Sequence, residues 1–238
     1  MTFCISIKVK EGIVGLSDTR ITSGSECINA SKTTVIQREN HSMYIMTSGL
    51  RAARDKALTY FNEVLRLQDT QFSHLYVAVN AFAEQVRRVR SEDINDLKEG
   101  GYKFDLRCII GGQLEEDKEH RLYMLYPEGN WVEASEDCSY FIIGESAFGK
   151  PIIQRTINYR SSLVSALKVS FLAFDATKMA SRNVDYPIDI IFYRANNYQF
   201  NQHRYEDQEL LPISKWWEGA LGRAISRMPS DWIRLIID

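Results

Sequence analysis

Cysteine is scarce in this chain of 238 residues: the four, Cys4, Cys27, Cys108 and Cys138, are widely spaced and form no Cys-x-x-Cys pair. That spacing argues against a zinc motif and against a disulfide framework, and predicts reduced, mostly buried thiols. Histidine is as rare. His41, His74, His120 and His203 sit among polar neighbours and never at i,i+4 on an apolar helix, which predicts exposed loop or helix-end residues and disfavours a histidine triad or a His-metal site. There is no basic excess: the formal net charge of -2 argues against nucleic acid as a partner. No apolar run approaches the roughly 18 residues needed to span a bilayer, and the N-terminus lacks the basic and apolar regions of a signal peptide. The expectation is a cytoplasmic protein with no membrane partner.

What remains is 45% hydrophobic and 25% charged, the composition of an ordinary globular protein. The length suits one domain over 1–238, with 195–238 as its C-terminal extension. Residues 2–10 alternate with period two, a Glu11-Gly12 turn follows, and Ile13 to Asp18 complete an antiparallel hairpin. A polar stretch around Ser23-Gly24-Ser25 leads to a second β pair at 33–37 and 43–47, so the first 47 residues are expected to hold four strands. From Leu50 the period becomes three and four: Leu50, Ala53, Ala57, Leu58 and Phe61 share one helical face, and Leu75, Val79, Phe82 and Val86 repeat it. Strand signals return at 102–112, 122–126, 130–133 and 140–143. Helical spacing resumes at 148–157 and 163–174, and a last apolar strand covers 188–193. This order predicts an α+β fold, a four-layer αββα sandwich of two antiparallel sheets flanked by helices. A polar connection over 194–209 then leads to an aromatic-rich helix with Ile213, Trp216, Trp217, Leu221 and Ile225, whose apolar stripe suits a subunit contact.

Chemistry is concentrated near the N-terminus. Thr2 stands directly behind the initiator methionine, and removal of Met1 would join its hydroxyl to a free α-amine on one rigid strand. An α-amine has a pKa of roughly 7.7 to 8.0, so near neutral pH part of it can take the hydroxyl proton as general base. Asp18 closes the second strand, where its carboxylate can approach Thr2. Lys32, at the entrance to the next strand, offers a cation to lower the hydroxyl pKa. Gly49 stands at a strand-to-helix turn, where its N–H is a candidate oxyanion donor. Each has an ordinary alternative: a threonine without a catalytic role, a surface ion pair, a solvated lysine and a glycine that permits a tight turn.

Together Thr2-Phe3-Cys4, Ser17-Asp18-Thr19-Arg20, Lys32, Ser48-Gly49-Leu50, Gly144-Glu145-Ser146 with Gly149-Lys150-Pro151-Ile152, and Pro187-Ile188-Asp189 resemble the proteasome β-subunit family of N-terminal nucleophile hydrolases, within it the bacterial proteasome-related branch. The likeness spans essentially the whole chain. It implies Thr2, Asp18 and Lys32 as catalytic residues and Gly49 as oxyanion donor. Thr22 would pair with an extended substrate by β-augmentation, and Ile21, Met46 and Leu50 would line the first specificity pocket. Two stretches depart from the family pattern, Gly144-Glu145-Ser146 in place of Gly-Ser-Gly and 182–187 in place of Asp-x-x-Ser-Gly-Gly. They put forward Glu145, Ser146 and Asp185 as accessory residues. The resemblance further implies a threonine-type peptidase or amidohydrolase with no cofactor and no metal, a peptide or amide substrate, and a homo-oligomeric ring or open helical ring. Methionine removal would be its activating step. A binding ring or scaffold with little peptidase activity, and an amide-transfer enzyme, use the same residues and stand as alternatives.

Overall fold

Residues Phe3–Val9 and Gly12–Asp18 are buried at every position, so the strands they form are covered by protein on both faces. The computed structural model describes residues 2–23, 26–68, 72–233 and 236, leaving out the side chains of Thr22, Ser23, Glu26, Cys27 and Gln68. Its strands are β1 (Phe3–Val9), β2 (Gly12–Asp18), β3 (Arg20–Ser23), β4 (Glu26–Asn29), β5 (Thr33–Gln37), β6 (Ser42–Gly49), β7 (Leu106–Gln113), β8 (Arg121–Leu125), β9 (Trp131–Glu133), β10 (Tyr140–Gly144), β11 (Ile188–Arg194) and β12 (Phe200–Tyr205). The helices are α1 (Arg51–Gln68), α2 (Leu75–Glu99), α3 (Lys150–Thr156), α4 (Leu163–Ala180) and α5 (Asp207–Ser226). One antiparallel sheet has the order β10-β1-β2-β11-β12, the other β5-β6-β7-β8-β9, and β3 and β4 form a separate two-stranded ribbon.

Three apolar layers hold these elements together. Phe3, Ile5, Ile7 and Val9, on one face of β1, pack with Ile153 of α3 and with Ala166, Phe171 and Phe174 of α4. Cys4, on the opposite face, joins Tyr44, Met46, Ile109, Tyr193 and Phe200 between the sheets. Ile45 and Ile110 pack outward against Phe61 of α1 and Phe82 of α2. The chain is therefore the expected αββα sandwich. Each fully buried large apolar side chain contributes roughly 1.5–3 kcal/mol. Gly12 is required at the hairpin turn: at φ +151°, a Cβ there would lie 1.9 Å from the Tyr193 carbonyl oxygen.

Several expectations need correction. The first 47 residues hold six strands, because the polar ribbon β3–β4 pairs register by register from Arg20 with Asn29 to Ser23 with Glu26 without an alternating apolar face to announce it. Gly24 and Ser25 lie outside the described residues. The supposed polar connection contains β12, an edge strand that pairs with β11. Apart from Phe200 it stays largely solvated, so it lacks the apolar alternation that marks a half-buried strand. The strand expected from 102 starts at Leu106, and the helix at 148–157 shortens to Lys150–Thr156. His120 is buried, contrary to its polar neighbourhood, with Nε2 2.8 Å from the Val9 carbonyl oxygen. Cys4 and Cys108 are buried and free, and Cys138 is free and exposed.

Candidate functional site

The strand parity that sends Phe3 toward α4 sends Thr2, like Cys4, toward the second sheet at the open end of the sandwich. Its backbone is clamped there. The Glu145 N–H donates to the Thr2 carbonyl at 2.7 Å, and Gly144 approaches so closely, at φ +85°, that a Cβ on it would lie 1.9 Å from the Thr2 oxygen. This contact explains why glycine stands at 144. It also gives Glu145 a backbone role in positioning Thr2. The Ser146 carbonyl accepts from Lys150 N at the start of α3.

Asp18, at the end of β2, reaches two partners with one oxygen. Oδ1 accepts from the Phe3 N–H at 2.8 Å and from Lys32 Nζ at 2.6 Å. Lys32 Nζ also donates to the Arg20 carbonyl at 2.6 Å, so two of its three N–H bonds are committed. Burial pushes the Asp18 carboxyl above the usual carboxylate range, while the Lys32 ammonium and the Phe3 amide pull it back. The Lys32 backbone is held in turn by Thr47, whose N–H donates to its carbonyl at 3.0 Å. The Arg20 guanidinium turns away to Asp185, with Nη1 2.7 Å from Oδ2. Asp185 thus stands one residue back from Lys32, behind the Arg20 backbone.

Gly49 ends β6 at φ +121°, where a Cβ would lie 2.0 Å from the Asp105 carbonyl oxygen. Alternation along β6 turns its N–H to the same side as that of Thr47, which faces Lys32. The Thr33–Met46 pair is the last of the β5 ladder, so the Gly49 N–H projects beyond it. Thr2, Lys32, Gly49 and Gly144 all border one cavity of about 390 Å³, together with Ile21. Asp18 stands behind Lys32.

Two expected pocket residues lie elsewhere. Met46 points into the core between the sheets, with its Cε against Gly15. Leu50 packs into the layer beneath α1 and α2. The side chain of Thr22 lies outside the described residues, as does Met1. The cavity wall instead includes Ser48, Arg51, Arg54, Asp105 and Leu106, which sequence reasoning missed. One signal was present: Arg51 and Arg54 are spaced i,i+3 at the start of a predicted helix, which places two cations on one face of its first turn.

Cys4 is no rival nucleophile. Burial pushes its thiol far up, with the Lys32 ammonium opposing, so the reactive thiolate is suppressed. Among the described residues, no group of three His, Cys, Asp or Glu is arranged to hold a metal ion. The site brings Thr2, a buried cation and the Gly49 backbone to the border of one cavity.

Comparison with known proteins bears on the family and the fold. Among curated proteins no match is found. Among solved structures, the Gly-1 mutant of Anbu from Hyphomicrobium sp. strain MC1 is 29% identical with TM-score 0.88, over 97% of this chain and 99% of that one. Anbu (ancestral beta-subunit) from Yersinia bercovieri is 26% identical with TM-score 0.87, over 96% and 98%. The helical assembly of the Anbu complex from Pseudomonas aeruginosa matches at 25% identity and TM-score 0.89, over 96% and 98%. The family model of the proteasome subunit matches residues 2–183. The chain therefore belongs to the proteasome subunit family and, within it, is similar to Anbu.

Proposed function

We propose that the protein is a threonine-type N-terminal nucleophile hydrolase that cleaves a peptide or other amide bond through an acyl-enzyme on Thr2. The observation that carries this reading is that Thr2, Lys32 and Gly49 share one cavity while Asp18 ties Lys32 to the residue after Thr2. Removal of Met1 frees the Thr2 α-amine. That amine takes the proton from Thr2 Oγ as the oxygen attacks the carbonyl carbon, and the Gly49 N–H receives the developing oxyanion. Collapse breaks the C–N bond, and the departing amine takes the proton back from the α-ammonium. Water then attacks the ester, with the α-amine again as base, and Thr2 Oγ leaves with its proton restored. Lys32 supplies fixed positive charge beside Oγ throughout, since Asp18 and the Arg20 carbonyl hold its ammonium in place.

Assembly belongs to the same reading. α5 buries Leu210 against its own core and leaves Ile213, Trp216, Leu221 and Ile225 exposed, a stripe suited to another copy of the chain in a ring or helical array. N-terminal mass measurement together with trapping by a peptide electrophile tests the chemistry. Methionine-free protein should be labelled on Thr2, and Thr2→Ala should not. Absence of labelling in a complete, methionine-free assembly overturns the hydrolase reading and favours a binding ring or scaffold. Product analysis with added amines separates hydrolysis from amide transfer.

A further inference from the structure

The charge balance around the Thr2 cavity is uneven. Lys32 is matched by Asp18 at 2.6 Å, and Asp105 faces Arg107 at 3.6 Å. Arg51 and Arg54 remain, and both lean on a single carboxylate: Asp55 lies 3.5 Å from Arg51 Nε and 2.7 Å from Arg54 Nη2. Arg51, Arg54 and Asp55 together thus carry one net positive charge, and the wall's own carboxylate, Asp105, is drawn to Arg107. The pair is also lopsided. The Arg54 side chain is 14% exposed while that of Asp55 is 52% exposed, so the counter-ion sits in water, where screening weakens its hold. Arg54 gives Nε and Nη2 to Asp55, leaving further N–H donors of its fork for another acceptor.

Helix α1 adds to the same field. Its N-terminus carries positive partial charge and ordinarily favours acidic residues, yet its first turn has none and holds both arginines. Two cations there oppose the helix dipole, a local cost that a bound anion relieves. On the other side, Ile21 and Leu106 line the cavity and offer apolar contact for methylene groups.

We infer that this cavity selects a carboxylate, so that substrates processed at Thr2 carry an acidic side chain, Asp or Glu, on the acyl side of the bond that breaks. The inference rests on the hydrolase reading above and assigns Arg54, with Arg51 at the rim, as the specificity residues. A neutral side chain gives the remaining Arg54 donors no charged acceptor, and a basic one meets two guanidinium groups.

The test uses methionine-free full-length protein and peptide vinyl sulfones identical except for Glu, Gln, Leu or Lys at the pocket position. Thr2 Oγ adds to the β-carbon of the probe and the released proton ends on its α-carbon, so mass spectrometry reads the adduct. The Glu probe should label Thr2 about tenfold or more faster than the Gln probe, the size expected for charge-assisted hydrogen bonds. Arg54→Gln should bring that ratio close to one and Arg54→Lys should restore part of it. If Arg54→Gln does not fold, Arg51→Gln at the exposed rim should lower the same ratio. Labelling by Gln or Leu as fast as by Glu overturns carboxylate selection and leaves Thr2 as the nucleophile. If no probe labels Thr2, the hydrolase reading fails, and calorimetric binding of the Glu and Gln peptides to Thr2→Ala decides the pocket separately. Tighter binding of the Glu peptide supports the inference, and equal binding overturns it.

Discussion

Lys32 and Asp18 meet at 2.6 Å with side-chain exposures of 3% and 0%, a buried ion pair whose lysine lines the Thr2 cavity and whose aspartate stands behind it. Both charges have lost hydration, so each depends on the other. Asp18 Oδ2 has no hydrogen-bond partner among the described residues, which concentrates that dependence on Oδ1. The pair gains rigidity for the cation beside Thr2 at a desolvation cost.

Removing one member should therefore be expensive. Lys32→Met is expected to destabilise the fold by about 3–5 kcal/mol, because it leaves a buried carboxylate uncompensated. Urea unfolding measures this, and the double variant Asp18→Asn/Lys32→Met should recover much of the loss while remaining inactive. The pH dependence carries the sign. Burial raises the folded pKa of Asp18 above its unfolded value, so the folded state holds that proton more tightly. Its contribution to stability is greatest below the unfolded value and is lost as pH rises through the folded one. In Lys32→Met, which lacks the opposing ammonium, stability should fall more steeply than in wild type from pH 4 to 7.

Gly49→Ala should damage both stability and turnover. The added Cβ meets the Asp105 carbonyl at 2.0 Å in a backbone region unfavourable for L side chains, a strain of about 1–3 kcal/mol. Displacing the proposed oxyanion N–H should lower kcat by about 10²-fold or more. Thermal melting and single-turnover rates separate the two effects, and a full kcat would count against Gly49 as donor.

His120 should make the fold sensitive to mild acid. Burial holds its pKa below the usual histidine value, with Lys8 and Arg121 adding to the shift and the Val9 carbonyl and Glu119 opposing it. Below about pH 6.5 the unfolded chain takes up a proton that the folded chain refuses, so stability declines as pH falls. One such group contributes at most about 1.4 kcal/mol per pH unit. Melting temperatures between pH 7.5 and 5.5 should fall in wild type and fall less in His120→Gln.

The exposed stripe of α5 should govern association. Trp216 and Ile225 are 61% and 72% exposed, so Trp216→Glu with Ile225→Glu should change the stability of the single chain by no more than about 0.5 kcal/mol per site. Sedimentation should nevertheless shift to smaller species. An unchanged assembly would place the subunit contact elsewhere.

Much of the scaffold was legible in the sequence because its signals are local. Alternation through Phe3, Ile5 and Ile7 marks one face of a strand, and the spacing of Ala53, Ala57 and Phe61 marks one face of a helix. β12 was not legible, since an edge strand can be solvated on most of its length. His120 was misread for a related reason: its partner is the Val9 carbonyl, 111 residues away, and no neighbour in sequence reports it.

The site divides in the same way. The sequence by itself determined that Thr2 shares a face with Cys4, that Asp18 ends a strand hydrogen-bonded to that of Thr2, and that Gly49 stands at a strand-to-helix junction, because chain order and strand parity settle those placements. Only the tertiary structure decided that Lys32 Nζ reaches Asp18 and the Arg20 carbonyl, that Met46 fills the core instead of the cavity, and that Arg51 and Arg54 form the cavity wall. Those outcomes depend on which side chains face one another across packed sheets and a helix end, and local periodicity records only the face a residue occupies on its own element.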